Sequence, residues 1–139
     1  MTQNDEYLEA QVMTASPEKL HMLVVDGAIR FAKQASQAMR GKDFEGVHEA
    51  LNRSRDFVVE LTGGLNDEHD AELVDKLKGL FGFVYRNLVD ADLEQDTQKI
   101  ADAIKILEMH RETWQMLMSK IQQENVSTVP ESHNQSWDG

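Results

Sequence analysis

The stretch that decides the fold is TASPEKLHMLVVDGAIRFAKQASQAMRG, residues 14–41, and it predicts a long helix with a well-defined start. Ser16 can cap this helix, because its hydroxyl can accept a hydrogen bond from a free backbone N–H of the first turn. Pro17 follows at the first helical position, where its missing N–H costs nothing. Gly41 can adopt the left-handed backbone conformation that commonly ends a helix. The sequence therefore predicts helix for residues 16–40.

This first helix carries two apolar stripes, whereas an ordinary surface helix carries one. A helix that is apolar over so much of its circumference either lies centrally in a bundle or leaves one face for a partner. We expect the second stripe to form the wall of a partner groove. The two stripes consist of Leu20, Leu23, Val24, Gly27, Phe31 and Ala35, and of Met22, Val25, Ile29, Ala32 and Met39.

Three further amphipathic stretches follow, separated by short polar turns. They are capped by Asp43, by the polar turn that ends near Asp70, and by Asp96. Their apolar residues recur at helical spacing. The stripes are Phe44, Val47, Leu51, Phe57, Val58 and Leu61; Leu73, Leu77, Leu80, Phe81, Val84 and Leu88; and Ile100, Ala103, Leu107, His110, Trp114, Leu117 and Ile121.

These four helices predict an all-α fold, an up-and-down antiparallel four-helix bundle over residues 16–124. Residues 1–15 are expected to form a short N-terminal helical arm, which is too short to be stable alone. Apolar periodicity stops after Glu124, so residues 125–139 are predicted to be a disordered tail. Gly79 and Gly82, inside the third helix, permit either close helix packing or the close approach of a bound segment.

Composition and charge exclude several classes of function. The formal net charge is −11, and the basic residues are scattered singly, which argues against nucleic acid or an anionic membrane as a partner. The chain has no cysteine, so disulfides and thiolate metal sites are ruled out. The sequence contains no stretch long enough to span a bilayer and no signal peptide, so the cytoplasm is the expected location.

The sharpest enzyme-like pattern is a pair of Glu-x-x-His spacings, Glu18 with His21 and Glu45 with His48. Di-iron bundles use two such motifs in their cores, together with one inward glutamate from each remaining helix. Both glutamates here lie in first turns, and no further glutamate is in register with the apolar stripes. His110 is expected to be a hydrogen-bonded or partly exposed core residue. The sequence therefore predicts no enzyme, no metal site and no cofactor.

Three blocks of residues, in order, resemble a known family. The first block consists of Tyr7 to Val12, TASP at 14–17, Leu20, ML at 22–23 and DGAI at 26–29. The second block is YRxLVxAD at 85–92, followed by Asp96. The third is Trp114. Together they span about residues 7–121. On these blocks the chain resembles the flagellar secretion chaperone family, FliS. Val25 departs from the family pattern, in which an aromatic is usual, and Phe83 stands near a position often held by tyrosine.

The resemblance implies an antiparallel helical bundle and a cytoplasmic chaperone. Such a chaperone binds the disordered C-terminal segment of flagellin, prevents premature polymerisation, and delivers flagellin to the flagellar type III export apparatus. It also implies contact with a component of the export gate. The residues expected to line the flagellin groove and its N-terminal cap are Tyr7, Leu8, Val12, Met22, Val25, Asp26, Ile29, Tyr85 and Leu88.

Two questions stay open at the level of the sequence. The alternative function is a helical adaptor or anti-activator for another secretion or regulatory client. The oligomeric state is also open: the heptad-like spacing in the last helix suits an antiparallel bundle seam, yet a homodimer is among the alternatives.

Overall fold

The computed structural model describes Ala10 and residues 15–65 and 70–138, with side chains as far as Glu124. Four long helices make up these stretches: α1 (Pro17–Arg40), α2 (Phe44–Gly63), α3 (Ala71–Glu94) and α4 (Thr97–Asp138). None of them is both long enough and apolar enough to cross a membrane, over the part of the chain that is described. The predicted all-α fold is confirmed.

The predicted caps are present at the start of each helix. The hydroxyl of Ser16 accepts a hydrogen bond from the backbone N–H of Lys19 at 3.2 Å. The carboxylates of Asp43 and Asp70 accept in the same way, both at 3.0 Å. Asp96 accepts from the backbone N–H of the second residue after it, at 2.9 Å. Each cap satisfies a backbone donor that has no partner inside its helix.

The turn after α1 differs from the prediction at Gly41. Gly41 has φ −83°, and the left-handed residue is Lys42, with φ 58°. The N–H of Asp43 bonds back to the carbonyl of Ala38 at 2.9 Å. This bond and that of Lys42 to Met39 are the pair that defines a Schellman motif, which places the left-handed residue one position after the helix cap. The prediction of a left-handed glycine stop is therefore wrong by one residue.

The four helices form a closed square in which each packs mainly against two others. α1 lies against α2, α2 against α3, and α3 against α4, while α1 also lies against α4. Because the connections are short, consecutive helices run antiparallel. This arrangement is the up-and-down bundle that the sequence predicts.

Both apolar stripes of α1 contribute to the bundle core. Val25 and Ala32 are fully buried, and Ile29 and Met39 nearly so. The reason is the position of α1, which lies between α2 and α4 and presents one face to each. The prediction that the second stripe forms the wall of an open groove is therefore wrong. The core comprises Val25, Ala28, Ile29, Ala32, Ala35, Met39, Val47, Ala50, Leu51, Val58, Leu61, Phe81, Val84, Leu88, Ala91, Ile100, Ala103 and Leu107.

Some residues of the predicted stripes lie outside this core. Leu117 and Ile121 are exposed because α4 continues beyond Trp114, which contacts the first turn of α1 at the end of the bundle. Leu80 is exposed because it lies about 100° around the helix axis from its buried neighbour Phe81. Leu73, seven residues before Leu80, and Phe44 in the first turn of α2 are exposed as well.

The last helix is longer than the predicted one. The sequence predicts a disordered tail for residues 125–139, whereas the backbone continues in helix as far as Asp138. Once a helix is nucleated, each further residue that is fixed gains one backbone hydrogen bond, whereas the first turn fixes several residues for a single bond. The chain also has no glycine stop between Thr97 and Asp138.

Candidate functional site

A groove between α2 and α3 is the apolar cavity that best suits a bound segment. It has a volume of about 470 Å³ and is open along one side. Val58 and Phe81 form its buried floor, and Val59 stands at its edge with 55% of its surface exposed. The α2/α3 groove is lined by Val58, Val59, Thr62, Gly63, Lys78, Phe81, Gly82, Tyr85 and Arg86.

Two glycines help to keep this groove open. A Cβ added at Gly63 would meet no heavy atom within 4 Å outside its own helical backbone. A Cβ added at Gly82 would meet only Nη1 of Arg86, at 3.5 Å. The open space beside Gly79 and Gly82 also shows that close helix packing does not explain these glycines, since no other helix lies within 4 Å of an added Cβ at either position. The other interpretation, a close approach by a bound segment, stays a hypothesis.

A larger cavity between α1 and α4 is less suited to an apolar ligand. Its volume is about 960 Å³, but nine of its twelve lining residues carry polar or charged side chains. The ion pairs between Lys33 and Glu108 and between Arg111 and Asp26 cross the interface of the same two helices. Exposed apolar side chains also occur on α3 and near the middle of α4, including Phe83, Met116 and Leu117.

The structure separates the site residues that the sequence predicts. Tyr85 lines the α2/α3 groove and is 37% exposed. Val25, Ile29 and Leu88 lie in the bundle core. The prediction that these three residues line an open groove is wrong, because the neighbouring helices of the bundle cover them.

Met22 and Asp26, also predicted as site residues, lie on α1 away from the α2/α3 groove. Met22 is half-buried, and the carboxylate of Asp26 accepts a hydrogen bond from Nε of Arg111 at 2.5 Å. The predicted cap residues Tyr7, Leu8 and Val12 lie outside the described residues. Their roles stay predictions.

The family model for the flagellar protein FliS matches residues 1–121. This chain belongs to the FliS family. It is similar to the flagellar secretion chaperone FliS of Bacillus subtilis strain 168, at 29% identity over 108 residues, which are 78% of this chain and 80% of that protein. It is also 29% identical to the FliS of Salmonella typhimurium over 114 residues (81% and 84%), and 24% identical to that of Vibrio cholerae over 110 residues (79% and 81%).

The FliS match includes every helix that forms the α2/α3 groove. It ends at residue 121, within α4, and so includes the whole of α1, α2 and α3. Sequence reasoning drew attention to Tyr85 and Arg86 through the FliS resemblance, but it missed Val59, Thr62 and Lys78. The sequence carried no decisive signal for Val59, because consecutive helical residues lie only about 100° apart and both can be buried, as Ala50 and Leu51 are in the same helix.

A cluster of aromatic rings joins the start of α1 to α4 in this FliS-family bundle. Nε2 of His21 lies 2.7 Å from Nε2 of His110, and the ring of His21 also contacts Trp114 and Phe81. Burial, and to a smaller extent the neighbouring charge of His110, lower the pKa of His21 to about 4. Burial also lowers the pKa of His110. The prediction that His110 is a hydrogen-bonded core residue is confirmed.

The two Glu-x-x-His pairs do not come together in one site. The imidazole of His21 contacts His110, and Nδ1 of His48 lies 2.7 Å from the carboxylate of Asp92 on α3. Within the described residues no three side chains of the metal-binding types come together. The two histidines instead connect neighbouring helices of the bundle.

Proposed function

We propose that this chain is a cytoplasmic flagellar secretion chaperone that binds the C-terminal segment of flagellin in the α2/α3 groove. In this proposal the bound segment cannot polymerise prematurely, and the complex delivers flagellin to the flagellar type III export apparatus. The chain acts by binding and not by catalysis. The observation that carries the proposal is an open apolar groove on a bundle of the FliS family, whose relatives are named flagellar secretion chaperones.

The shape and chemistry of the groove favour an amphipathic helical segment. Two antiparallel helices form its walls, and its floor is apolar, so a third helix can lay one apolar face along it. A segment that is disordered when free loses conformational entropy as it binds, and burial of apolar surface must offset that loss. Exposed Val59 and Tyr85 supply such surface at the two edges of the groove.

We assign the N-terminal arm to regulation of this complex. Tyr7, Leu8 and Val12 are proposed to cover apolar surface when no client is bound and to contact the export gate. This assignment rests on the family resemblance of the first sequence block, and these three residues lie outside the described part of the chain.

A calorimetric titration tests the proposal. A peptide with the sequence of the flagellin C-terminal segment should bind the full chain at a ratio near 1:1, with a negative heat-capacity change that reports apolar burial. Val59→Asp should weaken binding by at least about ten-fold, because it places a charge on the apolar edge of the groove. Leu93→Asp is the matched control, since Leu93 is exposed and does not line the groove.

Two results would contradict the proposal. One is the absence of binding at peptide concentrations of tens of micromolar. The other is an equal loss of affinity in Val59→Asp and Leu93→Asp. A polymerisation assay separates the alternative function: if flagellin monomers polymerise at the same rate with and without the chain, a helical adaptor or anti-activator for another client becomes the better account.

A further inference from the structure

The two edges of the α2/α3 groove differ in charge. Val59, Thr62 and Gly63 form the α2 edge, which is uncharged. Lys78 and Arg86 lie on the α3 edge. The groove therefore presents an apolar floor with a cationic border on one side only.

The two cations belong to a single row along α3. Lys78, Gly82 and Arg86 are spaced four residues apart, and residues at this spacing lie above one another on one side of a helix. Lys78 and Arg86 are thus about 12 Å apart along the axis. Gly82 leaves a gap between them, and Nη1 of Arg86 lies 3.5 Å from the position of a Cβ at Gly82. The guanidinium group of Arg86 therefore lies back along the groove edge.

Neither cation makes an ion pair with another described residue. Unpaired cations are common on this chain, because only five of its 14 basic residues form ion pairs among the described side chains; Lys78 and Arg86 differ from the other unpaired cations in bordering this apolar groove. On the same helix Lys76 pairs with Glu72, and at the far end of α3 Asp90 and Glu94 pair with Lys99. Lys78 and Arg86 have no such partner among the described side chains, and both border the apolar groove.

We propose that the α2/α3 groove selects a flagellin segment whose apolar face is bordered by carboxylates, which pair with Lys78 and Arg86. The inference rests on the proposed function and adds to it the charge pattern and the orientation of the client. Because only the α3 edge is cationic, an amphipathic helix that lays its apolar face on the floor, and carries acidic residues along one border of that face, fits the groove in one chain direction only. Complementary charges of this kind contribute to specificity and association rate more than to affinity.

The test compares two variants with the same change in net charge. Lys78→Glu with Arg86→Glu reverses both groove cations, and Lys42→Glu with Lys105→Glu reverses two exposed cations that do not line the groove. Binding of the flagellin C-terminal peptide to each full-length variant is measured by fluorescence anisotropy in about 25 mM and about 300 mM NaCl. Circular dichroism and thermal unfolding verify that the variants fold.

We expect the groove variant to bind at least about ten-fold more weakly than wild type in low salt, and the control variant less than about two-fold more weakly. The difference should shrink in high salt, because exposed ion pairs are screened. A peptide whose Asp and Glu residues are replaced by Asn and Gln should lose the dependence on Lys78 and Arg86. A peptide with Lys at those positions should bind the groove variant more tightly than it binds the wild-type protein.

Three outcomes would overturn the inference, and they can be told apart. If wild type binds the peptide, Val59→Asp prevents binding, and the groove variant binds like wild type, then the proposed function stands and the charge pattern is wrong. If the groove and control variants lose affinity equally, the effect is one of net charge and the pairing is wrong. If the groove variant does not fold, Lys78→Gln with Arg86→Gln provides the same comparison without reversed charge. If wild type does not bind the peptide, both proposals fail.

Discussion

Nε2 of His21 in α1 lies 2.7 Å from Nε2 of His110 in α4, and the two imidazole rings meet edge to face with their centroids 5.0 Å apart. A hydrogen bond at this distance needs a proton on one of the nitrogens and a free lone pair on the other. The contact therefore requires that at least one ring is neutral. Trp114 adds a second link at the same place, because its indole N–H donates to the backbone carbonyl of Glu18 at 3.1 Å.

Stability should fall as the pH is lowered through the range in which these histidines titrate. Burial, and then the charge of His110, lower the pKa of His21 to about 4, and burial lowers the pKa of His110. In the unfolded chain both titrate near about pH 6.5. Between these values the unfolded chain binds more protons than the folded one, so the stabilisation is complete above about pH 6.5 and is lost as the pH falls toward about 4.

Urea unfolding at about pH 7.5 and about pH 5.5 measures this loss, in a range where most carboxylates stay ionised. The control is the double variant His21→Gln with His110→Gln, which cannot titrate at either position. Its free energy of unfolding should change less between the two pH values than that of wild type. Equal changes in the two proteins would show that other groups govern the pH dependence.

Two glycines should respond to alanine in opposite directions. A Cβ at Gly27 would lie 2.8 Å from the ring of Phe57, which stacks on Phe31, so Gly27→Ala must displace that ring. We expect a loss of about 1–2 kcal/mol in the free energy of unfolding. A Cβ at Gly79 meets nothing within 4 Å, so Gly79→Ala should stabilise α3 by up to about 1 kcal/mol.

Thermal and urea unfolding of both alanine variants check these signs. Adding Phe57→Leu to Gly27→Ala should recover part of the loss, because the smaller side chain leaves room for the methyl group. Stabilisation by Gly27→Ala would mean that the Phe57 ring moves aside freely.

The hydroxyl of Ser54 should contribute to the contact between α1 and α2. It is fully buried and donates to the backbone carbonyl of Ala28 at 2.7 Å. Ser54→Ala should lower the free energy of unfolding by about 1 kcal/mol relative to the control Ser119→Ala. Ser119 is exposed on α4, so the control reproduces the change in helix propensity without the buried hydrogen bond. Equal effects at the two positions would mean that this hydrogen bond makes no net contribution to the free energy of unfolding.

The pair formed by Asp26 and Arg111 should contribute only modestly to stability. The hydrogen bond to Asp26 raises the pKa of Arg111, but both side chains are more than one-third exposed. A double-mutant cycle with Asp26→Asn and Arg111→Gln should give a coupling energy of about 0.2–1 kcal/mol that decreases with added salt. A coupling that does not change with salt would mean that the pair is shielded from solvent.

Local features of the chain were predictable because they depend on neighbouring residues. The hydroxyl of Ser16 and the carboxylates of Asp43 and Asp96 cap helices where the sequence predicts them. The end of α1 at Arg40 was also predicted, although the left-handed position fell on Lys42. These features follow from hydrogen bonds within three or four residues of each other, so no knowledge of the tertiary structure is needed.

The location of the groove was not predictable in the same way. The two stripes of α1 looked like a core face and a partner face, yet Val25 and Ile29 are both buried. Periodicity places residues on one side of a helix, but it does not say whether another helix covers that side. In α2 the same limit applies to Val58 and Val59, of which the first is buried and the second exposed.

By itself the sequence determined the number of long helices in the bundle, where they begin, and the family to which the chain is similar. All of these are recorded in short-range patterns of capping residues, apolar spacing and sequence blocks. Only the tertiary structure decided which apolar faces are covered and that Tyr85 and Arg86 share a groove with Val59. Which faces are covered depends on how far neighbouring helices extend and on which side each of them lies. Both depend on contacts between residues that are far apart in the chain.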